Sequence, residues 1–285
     1  MKVVLLGTGG GGGLIRPNRH QSATSVQIED TTLLFDCGEG ATRQLQKAGI
    51  SPLSVTHLFF THHHYDHNTD YPLFVLSSWH LGRHEPLQVI GPEGTAQMSA
   101  LLFGEGGVFH QDIGARTGLS GSQRLMEMRA GKRLEPVEIC VSEVRHAGSV
   151  MTAGAWKVSA CFTEHVEPYM KSLAYRVDCE GRSMVLAGDS APTQAVIELA
   201  KGADLLIHEC SGTDDFIESM GLAHHHSGPA GAAWIASEAG VSKLVVNHIL
   251  RDADQPAILQ EIRETLQRSF PGEVYIGEDL MSIEV

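Results

Sequence analysis

Four histidines and one aspartate fall within seven consecutive residues, Thr61-His62-His63-His64-Tyr65-Asp66-His67. Neutral imidazole nitrogen favours zinc, iron or nickel, and carboxylate adds a harder oxygen ligand, so donors at this density suit a divalent transition metal. The run just before them, Val55-Thr56-His57-Leu58-Phe59-Phe60, is rich in β-branched and aromatic residues and reads as a buried strand that ends where the histidines begin. The donors therefore gather at a strand's C-terminal mouth, where open sheets flanked by helices place their ligands. A histidine-rich polar loop is the plain alternative, and growth of the cluster out of a hydrophobic strand argues against it. Three further donors follow apolar strands in the second half: His165 after Cys161-Phe162-Thr163-Glu164, Asp189 after Ala187-Gly188, and His248 after Val246-Asn247. Singly, each reads as a hydrogen-bonded loop residue or a turn. Jointly with the first cluster they complete two metal shells with one shared carboxylate.

The surrounding pattern predicts the elements that must position these donors. Strands are expected over residues 3–6, 33–36, 55–60 and 87–90, and helices over 41–48 (closed by Gly49), 70–81 and from Gly94 to near Phe103. Residues 104–133 are expected as a loop with one short helix around 123–128, a rim or lid over the site. The second half predicts strands over 156–162, 173–178, 183–187, 205–208 and 244–247, and helices over 193–200, 227–239 and 256–269. Two successive strand and helix halves imply a layered α/β fold with sheets inside and helices outside. The glycine run Gly7-Thr8-Gly9-Gly10-Gly11-Gly12-Gly13 follows a strand as a dinucleotide fingerprint would, but Leu14-Ile15-Arg16-Pro17-Asn18 is a poor helix start. The run reads instead as a tight turn with little side-chain bulk beside the site.

Composition narrows the function classes. The chain has 285 residues with 21 basic and 34 acidic side chains, a formal charge of -13. Such acidity opposes a surface built wholly for polyanions, although bound dications would make a pocket locally positive. Five scattered cysteines without a CxxC pair suggest reduced thiols. With no signal-peptide cleavage pattern and no apolar span of membrane length, a cytoplasmic protein without membrane contact is expected.

The combination of HxHxDH (His62, His64, Asp66, His67) with the later His165, Asp189 and His248 resembles the metallo-β-lactamase superfamily. That resemblance implies an α/β fold, an αββα sandwich of two mixed β-sheets flanked by helices, formed by a single domain over residues 1–285. It also implies two divalent metal ions, Zn2+ foremost with Mn2+ or Fe as alternatives. The first would be held by His62, His64, His165 and Asp189, and the second by Asp66, His67, His248 and the bridging Asp189. His63 falls at a variable position and is expected to be a bystander. Leu6-Gly7-Thr8-Gly9, Phe35-Asp36-Cys37-Gly38-Glu39-Gly40, Gly91-Pro92-Glu93-Gly94, Tyr175-Arg176, Gly188-Asp189-Ser190, His208-Glu209 and His226-Ser227 are similar to the tRNase Z-like branch. In that branch a histidine before Ser/Thr helps the leaving group, which implicates His226, with His224 and His225 as neighbours that compete for the role. Asp66 and His226 are thus the catalytic candidates, and Asp36 and Glu209 are expected to orient them or their loops. A plainer reading of His226 makes it a helix-start residue beside Ser227 as N-cap.

The same resemblance shapes the substrate expectation. tRNase Z carries a long exosite arm between the matches to Tyr175-Arg176 and Gly188-Asp189, and here only a short hairpin joins them. Arg116, Arg124, Arg129, Lys132 and Arg133 form a modest basic run, read as a solvated loop rather than a substitute arm. The expected function is a dinuclear metal-dependent phosphodiesterase cleaving small or cyclic phosphodiesters through a metal-bound hydroxide. Its partner would be a small-molecule ester rather than nucleic acid, and the protein a homodimer. The alternatives are a tRNA 3′-processing endoribonuclease, an arylsulfatase, a lactone or β-lactam hydrolase, or a non-catalytic metal-containing sensor of a small molecule.

Overall fold

The computed structural model describes residues 1–11 and 16–285; the last glycines of the run and Leu14-Ile15 lie outside them. The first half contains β1 (Lys2–Gly7), β2 (Ala23–Ile28), β3 (Thr31–Phe35), α1 (Ala41–Lys47), β4 (Val55–Phe59), α2 (Tyr71–His80), β5 (Leu87–Gly91), α3 (Thr95–Phe103), α4 (His110–Gly118), α5 (Ser120–Ala130) and β6 (Ile139–Glu143). The second contains β7 (Gly148–Ala153), β8 (Trp156–Thr163), β9 (Ser172–Cys179), β10 (Arg182–Leu186), α6 (Gln194–Ala200), β11 (Leu205–Glu209), α7 (Asp214–Ser219), α8 (Pro229–Ala239), β12 (Lys243–Asn247), α9 (Pro256–Ser269) and β13 (Glu273–Ile276). A last strand, β14 (Ser282–Glu284), returns to pair with β1. The result is two seven-stranded sheets, ordered β14-β1-β2-β3-β4-β5-β6 and β13-β12-β11-β10-β9-β8-β7.

Alternation along the strands builds three layers of core at once, because successive side chains point to opposite faces of a sheet. Val3, Leu5, Leu33, Phe35 and Phe59 face Tyr175, Met184, Leu186, Leu205, Ile207 and Val245 of the other sheet. Their neighbours Val4, Leu6, Leu34, Leu58 and Phe60 pack outward among Tyr71, Phe74 and Val75 of α2 and Leu45 of α1. Val185, Leu206, Leu244 and Val246 do the same towards α6, α8 and α9. Strands buried on both faces read as continuous apolar runs, which is why they are legible in the sequence. Phe35 and Phe59 stack at 4.8 Å between the sheets, and truncating either to alanine costs about 3–5 kcal/mol.

The sandwich of two mixed sheets between helices is the architecture expected, with differences at its margins. Residues 104–133 are not a loop with one short helix but the hairpin α4 and α5, broken at extended Leu119. Few buried apolar side chains mark it: Ile113, Met126 and Leu134, with partly buried Phe109 and Ala130, dock it on Trp79 of α2. Buried Gln123 fixes the connection, donating to the Thr117 and Leu134 carbonyls and accepting from Leu134 N. The strands β2, β6, β7, β13 and β14 and the short helix α7 were not anticipated. β6, β7 and β14 are half-exposed strands at sheet edges, so pairing with one neighbour rather than a buried apolar run defines them. Ser227 is not an N-cap: its hydroxyl donates to the Ser190 carbonyl, and Gly228 occupies the cap of α8.

Candidate metal centre

The first sheet delivers its donors through Asp36 and Thr61, which follow the adjacent parallel strands β3 and β4. Asp36 has a left-handed backbone, φ 58°, a conformation that costs a non-glycine residue about 1 kcal/mol or more. Three bonds hold it there. Its carboxylate accepts from Thr61 N, from Thr61 Oγ1 and from His67 Nδ1, each at 2.8 Å. The bond to Nδ1 leaves His67 Nε2 directed into the cluster, 3.5 Å from Asp189 Oδ1 and 3.8 Å from Asp66 Oδ2. Thr61 Oγ1, having donated to Asp36, accepts from His62 Nδ1 at 3.0 Å. His62 is thereby left with a bare Nε2 facing inward.

The second sheet answers from three separate strand ends. After β8, His165 Nδ1 donates to the His225 carbonyl at 2.8 Å, and His225 Nδ1 donates back to the His165 carbonyl. After β10, Asp189 occupies the centre, with Oδ2 3.1 Å from His248 Nε2, 3.7 Å from His165 Nε2 and 3.8 Å from His62 Nε2. After β12, His248 turns inward with φ 54° against the glycine run: a Cβ on Gly10 would sit 2.3 Å from His248 Nδ1. That close approach explains glycine at position 10. Glu209, at the end of β11, accepts from Ser190 N and Ser211 Oγ at 2.6 Å and from His226 Nδ1 at 2.9 Å. His226 consequently keeps Nε2 for the site.

The donors form three overlapping groups: His62, His64, His165 and Asp189; Asp66, His67 and His248; and Asp189, His226 and His248. Within each group the nearest ligand atoms lie within 4.8 Å of one another. All the sequence-designated ligands are therefore brought together, and Asp189 is common to two groups. His63 stays outside, bonded through Nε2 to Thr95 Oγ1. Most of the cluster is buried; His64 and His226 are half-buried and form its open side.

The donor chemistry fits divalent cations. His62 Nε2 and His165 Nε2 lie 3.0 and 3.1 Å from His64 Nδ1, so ring nitrogens whose outer partners have fixed the tautomer converge on one point. Burial pushes His62 well below its ordinary value and lowers His64 and His165, keeping them in the neutral form that binds metal. The buried carboxylates require positive charge. Burial alone would raise Asp189, but the charges of His248 and His67 hold it well below the carboxylate range. Asp66 lies at about 2, where burial is outweighed by its bond to His248 and the charge of His67. Burial lowers His67, yet Asp189 and Asp36 raise it well above normal, so a proton there takes the electrostatic place that a dication would hold. His226 is likewise raised to about 9, its burial overcome by Glu209.

Several supporting residues were not identified from the sequence. Ser211 Oγ bonds Glu209 and lies 3.3 Å from His226 Nδ1. Asp279, close to the C-terminus, accepts from Thr8 N, Thr8 Oγ1, His20 N and His20 Nδ1 at 2.7 to 3.0 Å, and so anchors the turn that packs against His248. No local pattern could have exposed these partners. Thr61 stands at the head of the histidine stretch, but its role becomes visible only beside Asp36.

Similarity to known proteins agrees with this geometry. Residues 31–249 match the family model described as a beta-lactamase superfamily domain. The chain is 29% identical to the ribonuclease Z of Methanothermobacter thermautotrophicus over 321 residues, covering all of this chain and 97% of that protein. It is 30% identical to the ribonuclease Z of Methanosarcina mazei, covering all of this chain and 98% of that protein. The crystal structure of the short form of human tRNase Z superposes with a TM-score of 0.72 at 25% identity, over the whole of this chain and 99% of that one.

Proposed function

The chain belongs to the beta-lactamase superfamily, in its tRNase Z-like branch, and from that premise we propose that it is a metal-dependent phosphodiester hydrolase acting on RNA, an endoribonuclease of the ribonuclease Z kind. This moves the substrate from the small esters expected on sequence grounds to nucleic acid, because the full-length relatives are ribonucleases Z. In this reading His62, His64, His165 and Asp189 hold one dication, and Asp66, His67, His248 and Asp189 a second. Such a pair polarises a phosphoryl oxygen and lowers the pKa of water to about 7. The observation that carries the proposal is the Glu209–His226 pair. An RNA 3′-oxygen is a poor leaving group that needs a proton as the P–O bond breaks. His226, held by Glu209 through Nδ1 and half-buried on the open side, presents Nε2 to donate that proton. Asp66 and Asp189 would serve among the ligands that hold the dications, Asp189 within 4.8 Å of His226.

The test is cleavage of a precursor tRNA transcript by metal-loaded protein, resolved on a denaturing gel. A discrete 3′ cut that is lost on chelation supports the proposal; an intact transcript beside active hydrolysis of bis(p-nitrophenyl) phosphate refutes it. That second result is the outcome of the small-phosphodiester reading, which one observation favours. β9 and β10 are joined by the two-residue turn Glu180-Gly181, both at positive φ, a tight hairpin that leaves no room for an arm.

A further inference from the structure

The charge of the chain is unevenly distributed. Between His110 and Arg133 five basic residues stand against two acidic ones, so this segment carries +3 while the remaining residues carry -16. The segment is the α4–α5 hairpin, and its fold sorts those charges. Gln123, Met126 and Ala130 face inward along α5, where Gln123 and Met126 are buried. At 100° per residue Arg124, Leu125 and Met128 fall on the opposite face and Arg129 on its flank, one turn from Met126. All four are exposed, Met128 at 75%. Gly131 ends the helix in a left-handed conformation, and Arg133 follows with a side chain 64% exposed. Among the described residues Arg124 and Arg129 have no ion-pair partner, and Arg133 lies only within 3.8 Å of Glu127. Three cations thus stand outward, flanking apolar surface, on an acidic protein.

The hairpin is also connected to the metal centre through α2. α2 begins four residues after His67 and runs for ten residues, about 15 Å, to end at Trp79 and His80. Trp79 lies in the cluster that docks α4 and α5, and its Nε1 donates to the Glu135 carbonyl just beyond the hairpin. The patch is therefore tied to the same helix that departs from the site.

We propose that the outward face of α5, with Arg124, Arg129 and Arg133, docks the phosphate backbone of an RNA substrate whose cleaved end enters the metal centre. The proposal rests on the RNA reading of that centre. Each neutralised phosphate releases counterions, so binding acquires a salt dependence proportional to the contacts made. Exposed Leu125 and Met128 supply apolar surface against ribose and base faces. Charge complementarity selects a polyanion over a second copy of a chain with a net charge of -13.

The test is filter binding of a precursor tRNA transcript between 50 and 200 mM salt, using wild type, the triple variant R124Q/R129Q/R133Q and the charge-conserving R124K/R129K/R133K. The glutamine variant should bind about 10-fold or more weaker, with a log Kd against log salt slope shallower by about 2 to 3. The lysine variant should keep most of the slope. Hydrolysis of bis(p-nitrophenyl) phosphate and the oligomeric state should stay at wild-type values in both. If wild type binds and cleaves RNA and the glutamine variant matches its affinity and slope, the docking surface is wrong while the RNA reading stands. If wild type neither binds nor cleaves RNA, both fall. Arginine-dependent binding to phosphatidylglycerol vesicles without RNA binding, or a changed oligomeric state in the glutamine variant, would also overturn the docking proposal.

Discussion

The two sheets repeat one pairing scheme, three antiparallel junctions followed by three parallel ones, so β3 of the first corresponds to β10 of the second. Each of these strands leads to an aspartate. Asp36 and Asp189 are both buried, yet their surroundings differ. Asp36 is saturated by two donors from Thr61 and one from His67. Asp189 is faced by four imidazole nitrogens between 3.1 and 3.8 Å, contributed by both halves of the chain. A carboxylate whose lone pairs are already taken by protein N–H and O–H groups can only orient other ligands. One left among converging nitrogens is available to a cation.

The largest effect is expected from removing the available carboxylate. Asp189→Ala should drop the metal content from near two ions per chain by elemental analysis. It should also reduce phosphodiester hydrolysis by more than the ~100-fold upper figure for a merely supporting group. Near-normal metal content in this variant would end the distinction between the two aspartates. His226→Ala comes next: metals retained, about 100-fold or more lost on an alkyl or RNA diester, and a smaller loss on a nitrophenyl ester, whose leaving group departs without a proton. Equal losses on both would make His226 a positioning group, and loss of a metal would place it in the ligand set, where its proximity to Asp189 and His248 also allows it.

Asp36→Asn probes the saturated partner. Its shape is preserved but His67 Nδ1 loses a charged acceptor, so metal affinity should fall by about 10- to 100-fold, less than for Asp189→Ala, with both ions bound at high metal concentration. A loss as complete as that of the Asp189 variant would show that the two carboxylates are equivalent. The smallest effect concerns Glu209→Gln in metal-free protein. His226 in the folded chain titrates near 9 against an ordinary 6.5, so its stabilisation is fully present below pH 6.5 and is lost as pH rises through 9. Thermal denaturation across that window should show a fall in Tm for wild type and a flatter profile for Glu209→Gln. Parallel profiles would mean that the pair does not hold the proton.

Much of the centre was legible because it is local. His62, His64, Asp66 and His67 leave one strand within a few residues, so their types and spacing alone bring them to one point. The strands β1, β3, β11 and β12 were equally legible, since burial on both faces leaves adjacent apolar residues, and β4 was legible from Leu58-Phe59-Phe60 at its end. His165, Asp189 and His248 each carried only a weak signal, a polar residue after an apolar strand; their joint occurrence with the first cluster gave them weight, and family resemblance divided them between two shells. Tertiary structure decided the remainder. His226 is distinguished from His224 and His225 by Glu209, seventeen residues earlier on a neighbouring strand end, while His225 turns to His165 and His224 stays exposed. The helices α4 and α5 are fixed by Gln123 and a few contacts with Trp79, too sparse to write a helical period into the sequence. Sequence determines which groups exist and, within one element, which way they face. Whether a buried carboxylate is saturated or available depends on partners from other strands: Asp36 is filled from the end of β4, its neighbour in the same sheet, whereas the imidazoles around Asp189 meet only when the two sheets pack.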